Sequence, residues 1–262
     1  MRSASLVLAA ICGAALAACG GGDDASAGPD ARAAIDAPAA DAPASIDAAI
    51  DAAGPPLPGF GAITGQCGVL TQALLDGTTP MWFQGDLDFG TDRYDDPADR
   101  DQLTPGGQQM IVEGNAGGSS VYSEVFAYEW LARCEGATLL KTETEIQYDV
   151  QGKKADLLVE MDGRKVGVSV TRAVTFPFGQ PYTLAAAQTL FQRKLSDLRL
   201  ATEQVSAADH WTAQLVIAEA YDLQHAQVAM QAWNGFDAAT KGTTQMIIAV
   251  TDGDDLFIYT DQ

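Results

Sequence analysis

A strand, a tight turn and a second strand follow one another between residues 155 and 173, where the chain reads ADLLVEMDGRKVGVSVTRA. Asp-Gly is typical of two-residue hairpin turns, because both residues tolerate a positive φ. The flanking runs therefore predict an antiparallel pair, Ala155 to Met161 and Lys165 to Ala173. If Asp162-Gly163 is the turn, facing residue numbers sum to 325, so that Asp156 faces Ser169 and Lys154 faces Thr171 on one side of the sheet.

Helices and strands are predicted to alternate on both sides of this hairpin. The N-terminal side holds a strand containing Trp82, Phe83 and Phe89, a helix from Val121 to Cys134 that stops at Gly136, and a strand from Leu139 to Tyr148. The C-terminal side holds a helix from Leu184 to about Gln204 with an apolar stripe (Leu184, Ala187, Phe191, Leu195, Leu198), a strand Ala213 to Ala218, a helix Leu223 to Trp233, and strands Gln245 to Val250 and Leu256 to Tyr259. The expected class is α/β with the core order α-β-β-β-α-β, an additional helix and C-terminal strands.

That order resembles the restriction-endonuclease-like fold, and the hairpin resembles the site of PD-(D/E)xK nucleases. The resemblance implies that Asp156 is the metal-binding aspartate and that Glu124, on the first helix, supplies a further carboxylate. Ser169 stands where the family has its second acid, and Thr171 where it has its lysine. Lys154, across the hairpin, or Lys194, on the second helix, would have to replace that lysine.

The candidate catalytic residues are therefore Glu124, Asp156, Ser169, Thr171, Lys154 and Lys194, with Glu124 and Asp156 as candidate Mg²⁺ ligands. Hydrolysis of nucleic acid on this fold needs a divalent cation held by clustered carboxylates. A neutral serine oxygen does not replace a carboxylate for such a hard cation, so we expect weak Mg²⁺ binding.

Three blocks, GGSSVYSEVFAYEWL, GATLLKTETEIQY and GVSVTRA, also resemble a little-characterised family of nuclease-fold proteins, some of them eukaryotic. The likeness covers residues 115 to 260. It implies that Ser-Val-Thr at this place can be a family's ordinary state, and it supplies no known activity.

The first 19 residues, MRSASLVLAAICGAALAAC, predict export. The apolar run from Leu6 to Ala18 is too short to span a bilayer comfortably and has the form of a secretory signal. Leu16-Ala17-Ala18-Cys19 resembles the lipobox of bacterial lipoproteins, which implies cleavage before Cys19 and acylation of its thiol. Gly20 follows in place of an aspartate, which favours the outer membrane of a Gram-negative envelope. An ordinary signal peptide with a chance cysteine is the alternative.

A tract rich in Ala, Asp and Pro extends from Cys19 to Pro58, and it predicts a disordered tether because it offers nothing from which to build a core. The expected organisation is a signal peptide (1–18), a lipidated tether (19–58), an N-terminal extension packed on the core (59–114) and a nuclease-like domain (115–262).

Charge disfavours nucleic acid as a partner but does not exclude it. The chain carries −20 at pH 7, of which −15 falls on the residues after the tether. Such a surface repels nucleic acid at long range. Residues 153 to 199 carry eight basic and four acidic side chains, however, and so form a local segment of +4.

Cys67 and Cys134 are the two cysteines left after Cys12 and Cys19 are assigned to the signal and the anchor. An even pair in an oxidising compartment predicts a disulfide, with two buried free thiols as the alternative.

Two functions remain open at this point. One is a lipid-anchored extracytoplasmic protein with a degenerate nuclease-like site that acts as a binding or structural module, for an unknown protein or other partner. The other is an active Mg²⁺-dependent phosphodiesterase with a rearranged site that acts on extracellular nucleic acid.

Overall fold

A computed structural model describes residues 55–117 and 120–260. The predicted signal peptide, the predicted acylation site Cys19 and the predicted tether up to residue 54 lie outside these residues. Within the described ranges, no helix has both the length and the apolar character needed to cross a membrane.

Seven strands and seven helices make up the described part of the chain. The strands are β1 (Ala62–Gly65), β2 (Trp82–Asp88), β3 (Thr138–Thr142), β4 (Leu157–Met161), β5 (Arg164–Arg172), β6 (Ala213–Ala220) and β7 (Gln245–Asp252). The helices are α1 (Gln72–Leu75), α2 (Pro105–Glu113), α3 (Val121–Glu135), α4 (Leu184–Gln204), α5 (Leu223–Gly235), α6 (Ala238–Lys241) and α7 (Leu256–Tyr259), with a 3₁₀ turn at Asp99–Gln102.

All seven strands form one sheet in the order β1-β2-β7-β6-β5-β4-β3. The four central strands, β2, β7, β6 and β5, run parallel to one another, while β1 pairs antiparallel with β2, β4 with β5, and β3 with β4. The chain order α3-β3-β4-β5-α4-β6 is the predicted core order, so the α/β fold class is confirmed. Residues 59–114 contribute β1 and β2 to this same sheet.

The sheet is covered on both faces, which explains why its central strands are almost continuously apolar. Alternate residues such as Val168 and Ile217 pack in one cluster with Trp130 of α3. The intervening residues, such as Val216, pack in a second cluster with Phe191 of α4 and with side chains of α5. Four of the five predicted stripe residues of α4 are buried, while Leu184, its first residue, is exposed.

The predicted hairpin is confirmed. Asp162 and Gly163 both have positive φ, at 45° and 72°, as a two-residue turn between twisted strands requires. Leu157 pairs with Val168, so facing residue numbers have the predicted sum. Helix α3 ends as predicted too, because Gly136 takes the left-handed conformation at its C-terminus.

Two predicted strands are wrong in part or in full. The strand expected to run to Tyr148 ends at Thr142, because the chain turns back there and the Glu145 amide donates to the Thr142 carbonyl (3.1 Å). Residues 256–259 form a short helix rather than a strand. Both edges of β7 are already occupied, by β6 and by β2, so no position beside it is left for a returning strand.

Cys67 and Cys134 are joined by a disulfide, as the sequence predicts. The bond ties the segment after β1 to the C-terminal turn of α3.

Candidate functional site

The candidate site lies where β5 loses one of its two neighbouring strands. β4 pairs with β5 only as far as Leu157 and Val168, whereas β5 continues beside β6 to Arg172. Residues 169–172 of β5 therefore have a strand on one side only. Side chains from other segments can therefore contact the unpaired edge of β5 at these residues.

Asp156 occupies that open edge, directly before β4. Its Oδ2 accepts hydrogen bonds from the Val170 amide (2.6 Å) and from Ser169 Oγ (2.9 Å). The carboxylate thus satisfies a backbone donor that a longer β4 would otherwise pair. Asp156 and Ser169 are neighbours, as the hairpin register predicts.

Lys194 reaches the same carboxylate from α4. Its Nζ lies 3.6 Å from Asp156 Oδ2 and 3.3 Å from Ser169 Oγ. Both charged side chains are about four-fifths buried, with exposed fractions of 22% for Lys194 and 20% for Asp156. The structure therefore places a lysine beside the aspartate, and that lysine comes from the helix.

Glu124 approaches from the first turn of α3. Its Oε1 accepts hydrogen bonds from Asn115 Nδ2 and from Ser120 Oγ, both at 2.7 Å. Burial and, next, the charge of Asp156 raise the pKa of Glu124 to about 7, although the two hydrogen bonds act in the opposite direction. Near neutral pH this carboxyl group is therefore only partly ionised.

Glu124, Asp156, Thr171 and Lys194 line one cavity of about 220 Å³, and Ser169 lies next to it through its contacts with Asp156 and Lys194. Lys154 departs from the prediction: it is exposed and borders a separate depression with Tyr148. The reason is that strand pairing ends at Leu157, and the preceding chain is held elsewhere by the Tyr148 hydroxyl, which accepts from the Ala155 amide (2.8 Å).

Two arginines that the sequence analysis did not single out also line this cavity, Arg172 and Arg193. Arg172 Nη1 lies 3.4 Å from the carbonyl oxygens of Ile258 and Tyr259, and its guanidinium lies 4.9 Å from the ring centre of Phe176. Arg172 follows Thr171 in the GVSVTRA block, and Arg193 precedes Lys194, so their proximity along the chain was the available signal.

Glu219 of β6 is a buried acidic residue that the sequence analysis did not select. It stands opposite Arg172 in the register of β5 on β6, and it is 2% exposed. Burial raises its pKa well above the ordinary value, and the charge of Arg172 offsets only part of that rise. Within residues 55–117 and 120–260, its Oε2 has no hydrogen-bond partner.

The donor set fits a divalent cation poorly. Asp156 Oδ2 already accepts two hydrogen bonds and faces an ammonium group, while Glu124 Oε1 accepts two hydrogen bonds and is partly protonated. Mg²⁺ keeps several waters in its octahedral shell and is held by one or two ionised carboxylates, so hydrogen bonds, a nearby ammonium and partial protonation at these two carboxyl groups all compete with it. Among the described residues, no three His, Cys, Asp or Glu side chains are placed to hold a metal ion.

No family model matches the chain. The AAC-rich mRNA clone AAC4 protein of Dictyostelium discoideum is 38% identical over 120 residues, which are 44% of this chain and 17% of that protein. The matched part is thus a small share of the relative's length. Among solved structures, SfsA of Pyrococcus furiosus in complex with Ca²⁺ covers 50% of this chain and 55% of its own, with 13% identity and a TM-score of 0.25.

Proposed function

We propose that this chain is a lipid-anchored extracytoplasmic protein whose nuclease-like domain binds a small oxyanion in the Asp156–Lys194 cavity and does not hydrolyse nucleic acid. Leu16-Ala17-Ala18-Cys19 supports the anchor, and Gly20 supports the outer membrane.

The contact of Lys194 with Asp156 and Ser169 is the observation that carries the proposal. The aspartate that would bind a metal in an active enzyme instead faces an ammonium group at 3.6 Å. The position of the second acid holds a hydroxyl that donates to this aspartate. The Ser169 hydroxyl has thereby used its one hydrogen, whereas the Lys194 ammonium has three N–H donors and can still offer one to a phosphate-like oxygen.

The balance of charge around the cavity also favours an anion. Three basic side chains, Arg172, Arg193 and Lys194, line it together with two acids. One of these acids, Glu124, is only partly ionised near neutral pH, since its pKa is about 7. The cavity is therefore net positive although the chain as a whole is strongly negative.

Replacing Lys194 with methionine is expected to weaken sulfate binding by about 10- to 150-fold, because a charge-assisted hydrogen bond in a partly buried site is worth roughly 1.5–3 kcal/mol. Calorimetric titration with sulfate measures the change. Lys154→Met is the matched control, since Lys154 is exposed and borders a different depression. Equal sulfate affinity in Lys194→Met and in the parent would contradict the proposed site.

Sulfate affinity is also expected to rise several-fold as the pH falls from about 8 to about 6, because Glu124, with its pKa of about 7, becomes protonated and loses its negative charge. Sulfate keeps its own charge over this range, so the ligand does not contribute to the change. Glu124→Gln should bind sulfate with nearly constant affinity across the same titration. A variant that retained the full pH dependence would show that another group is responsible.

A metal-dependent phosphodiesterase is the second candidate, and one observation favours it: Glu124, Asp156 and Lys194 line the same cavity. The two candidates are separated by incubating the protein with DNA or RNA and Mg²⁺ or Mn²⁺. Cleavage that requires the metal and is lost in Asp156→Asn would establish the enzymatic function and rule out the proposal of a non-hydrolytic binding protein.

A further inference from the structure

We propose a second ligand site, in a cavity of about 480 Å³ beside the N-terminus of α5, which binds a small neutral aromatic molecule carrying an O–H or N–H donor. The volume lies within the range of small-molecule sites. Aromatic and amide side chains line the cavity: Phe178, Gln180, Tyr182, Tyr221, Gln224 and His225. The Asp156–Lys194 cavity, called the anion cavity from here on, shares only Val174 among the described lining residues with this site. The site does not depend on the function proposed for the anion cavity.

The imidazole of His225 is held in one orientation by Asp222, the N-cap residue of α5. Asp222 Oδ1 lies 2.7 Å from both the His225 amide nitrogen and its Nδ1. Burial acts against ionisation of Asp222, but the hydrogen bonds from His225 outweigh it and lower the pKa of the carboxyl group. A carboxylate only accepts hydrogen bonds, so Nδ1 carries a proton, and Nε2 is the ring nitrogen left to accept from a ligand donor when it carries none.

Ring contacts fix the shape of the cavity wall. The His225 ring stacks on Tyr182, with centroids 5.5 Å apart and an interplanar angle of 13°. Tyr221 meets the His225 ring edge-on at 5.9 Å and the Phe178 ring edge-on at 4.9 Å. Such packed rings present a rigid surface of faces and edges, which a planar ring matches better than a flexible chain does.

Tyr182 lines the cavity with its ring and carries a hydroxyl that is buried behind it. The residue is 9% exposed, and its hydroxyl has no hydrogen-bond partner within residues 55–117 and 120–260. Burial raises the pKa of this hydroxyl, so it stays protonated and remains a donor in need of an acceptor. A phenolic O–H supplies the donor that His225 Nε2 would accept.

Charge decides against an anionic ligand here. Among the described residues, no Lys or Arg lines this cavity, and the carboxylate of Asp222 lies behind His225. A phosphate or carboxylate would approach that carboxylate with no Lys or Arg in the lining to offset it. The cavity therefore suits a neutral ring, in contrast to the neighbouring anion cavity.

The test compares phenol with anisole and cyclohexanol by NMR titration of the full-length chain. We expect phenol to bind about tenfold more tightly than anisole, which lacks the donor, and about tenfold more tightly than cyclohexanol, which lacks the aromatic ring. The chain has two histidines, so side-chain ¹⁵N spectra should show the His225 Nε2 resonance shifting with phenol in the unmodified protein.

His225→Phe keeps an aromatic ring but removes the acceptor, so phenol affinity should fall to that of anisole. His210→Phe is the matched control, because His210 is exposed and precedes β6 whereas His225 follows it. Phenol and anisole binding equally well, an unmoved His225 resonance, or unchanged phenol affinity in His225→Phe would each overturn the proposal. The ¹⁵N measurement needs no variant, so it decides the question even if His225→Phe fails to fold.

Discussion

Replacing Cys67 and Cys134 together with alanine is expected to lower the free energy of unfolding by about 4 kcal/mol. The disulfide joins residues separated by 67 positions, and on the chain-entropy model the cross-link removes many conformations from the unfolded chain. In the folded state it connects the segment after β1 to the end of α3. Urea unfolding of the parent and the double variant, both without reductant, measures the difference.

Reductant separates the cross-link from the packing of the two side chains, since Cys134 is also buried in the core. The parent should lose stability on reduction and approach the double variant, whereas the variant itself should not respond. A parent whose unfolding midpoint is unaffected by reductant would contradict the prediction, because the cross-link would then contribute nothing.

The parts of the fold that the sequence predicted are those set by local pattern. Asp162-Gly163 determined the hairpin and, through it, the register of β4 on β5. Gly136 marked the end of α3, and apolar spacing outlined α4. Each of these signals involves residues within one turn or one helix, where residues that are close in sequence are also close in the folded structure.

The errors arose where segments distant in sequence determine the secondary structure. Residues 256–259 have the composition of a strand, but β2, about 170 residues upstream, already pairs with β7 at the edge such a strand would need. Sequence alone gave no pairing partner for β2. The local sequence pattern therefore contains no information that this edge of β7 is occupied by β2.

The candidate site was predictable in part for the same reason. The hairpin register placed Ser169 beside Asp156, and the helical stripe placed Lys194 on the flank of α4. Lys154 was misplaced because the register was extended beyond the point where β4 separates from β5. Glu219 gave no signal, since a single acid in a buried parallel strand acquires meaning only from its neighbour Arg172 across the ladder.

Ser169→Glu is expected to convert the anion cavity into a divalent-cation site. The new carboxylate would stand beside Asp156, with Glu124 lining the same cavity, and three acids bind a hard cation far better than two. Without metal, the added charge should lower stability through like-charge repulsion, which Lys194 offsets in part at its 3.6 Å distance from Asp156. Sulfate binding should weaken in the same variant, because the cavity loses its positive balance.

Thermal melts with and without Mn²⁺ measure the gain. By linkage, the Ser169→Glu variant should be stabilised by about 2.7 kcal/mol once the free metal is about 100-fold above its dissociation constant, while the parent should change little. Ser169→Gln is the matched control, because it has nearly the same shape without the charge and should behave as the parent does. A folded Ser169→Glu variant that melts at the same temperature with and without metal would show that residues 156 and 169 do not face a common metal-accessible cavity. The comparison of this edge of β5 with a nuclease site would then lose its physical basis, whereas sulfate binding at Lys194 could still be tested on its own.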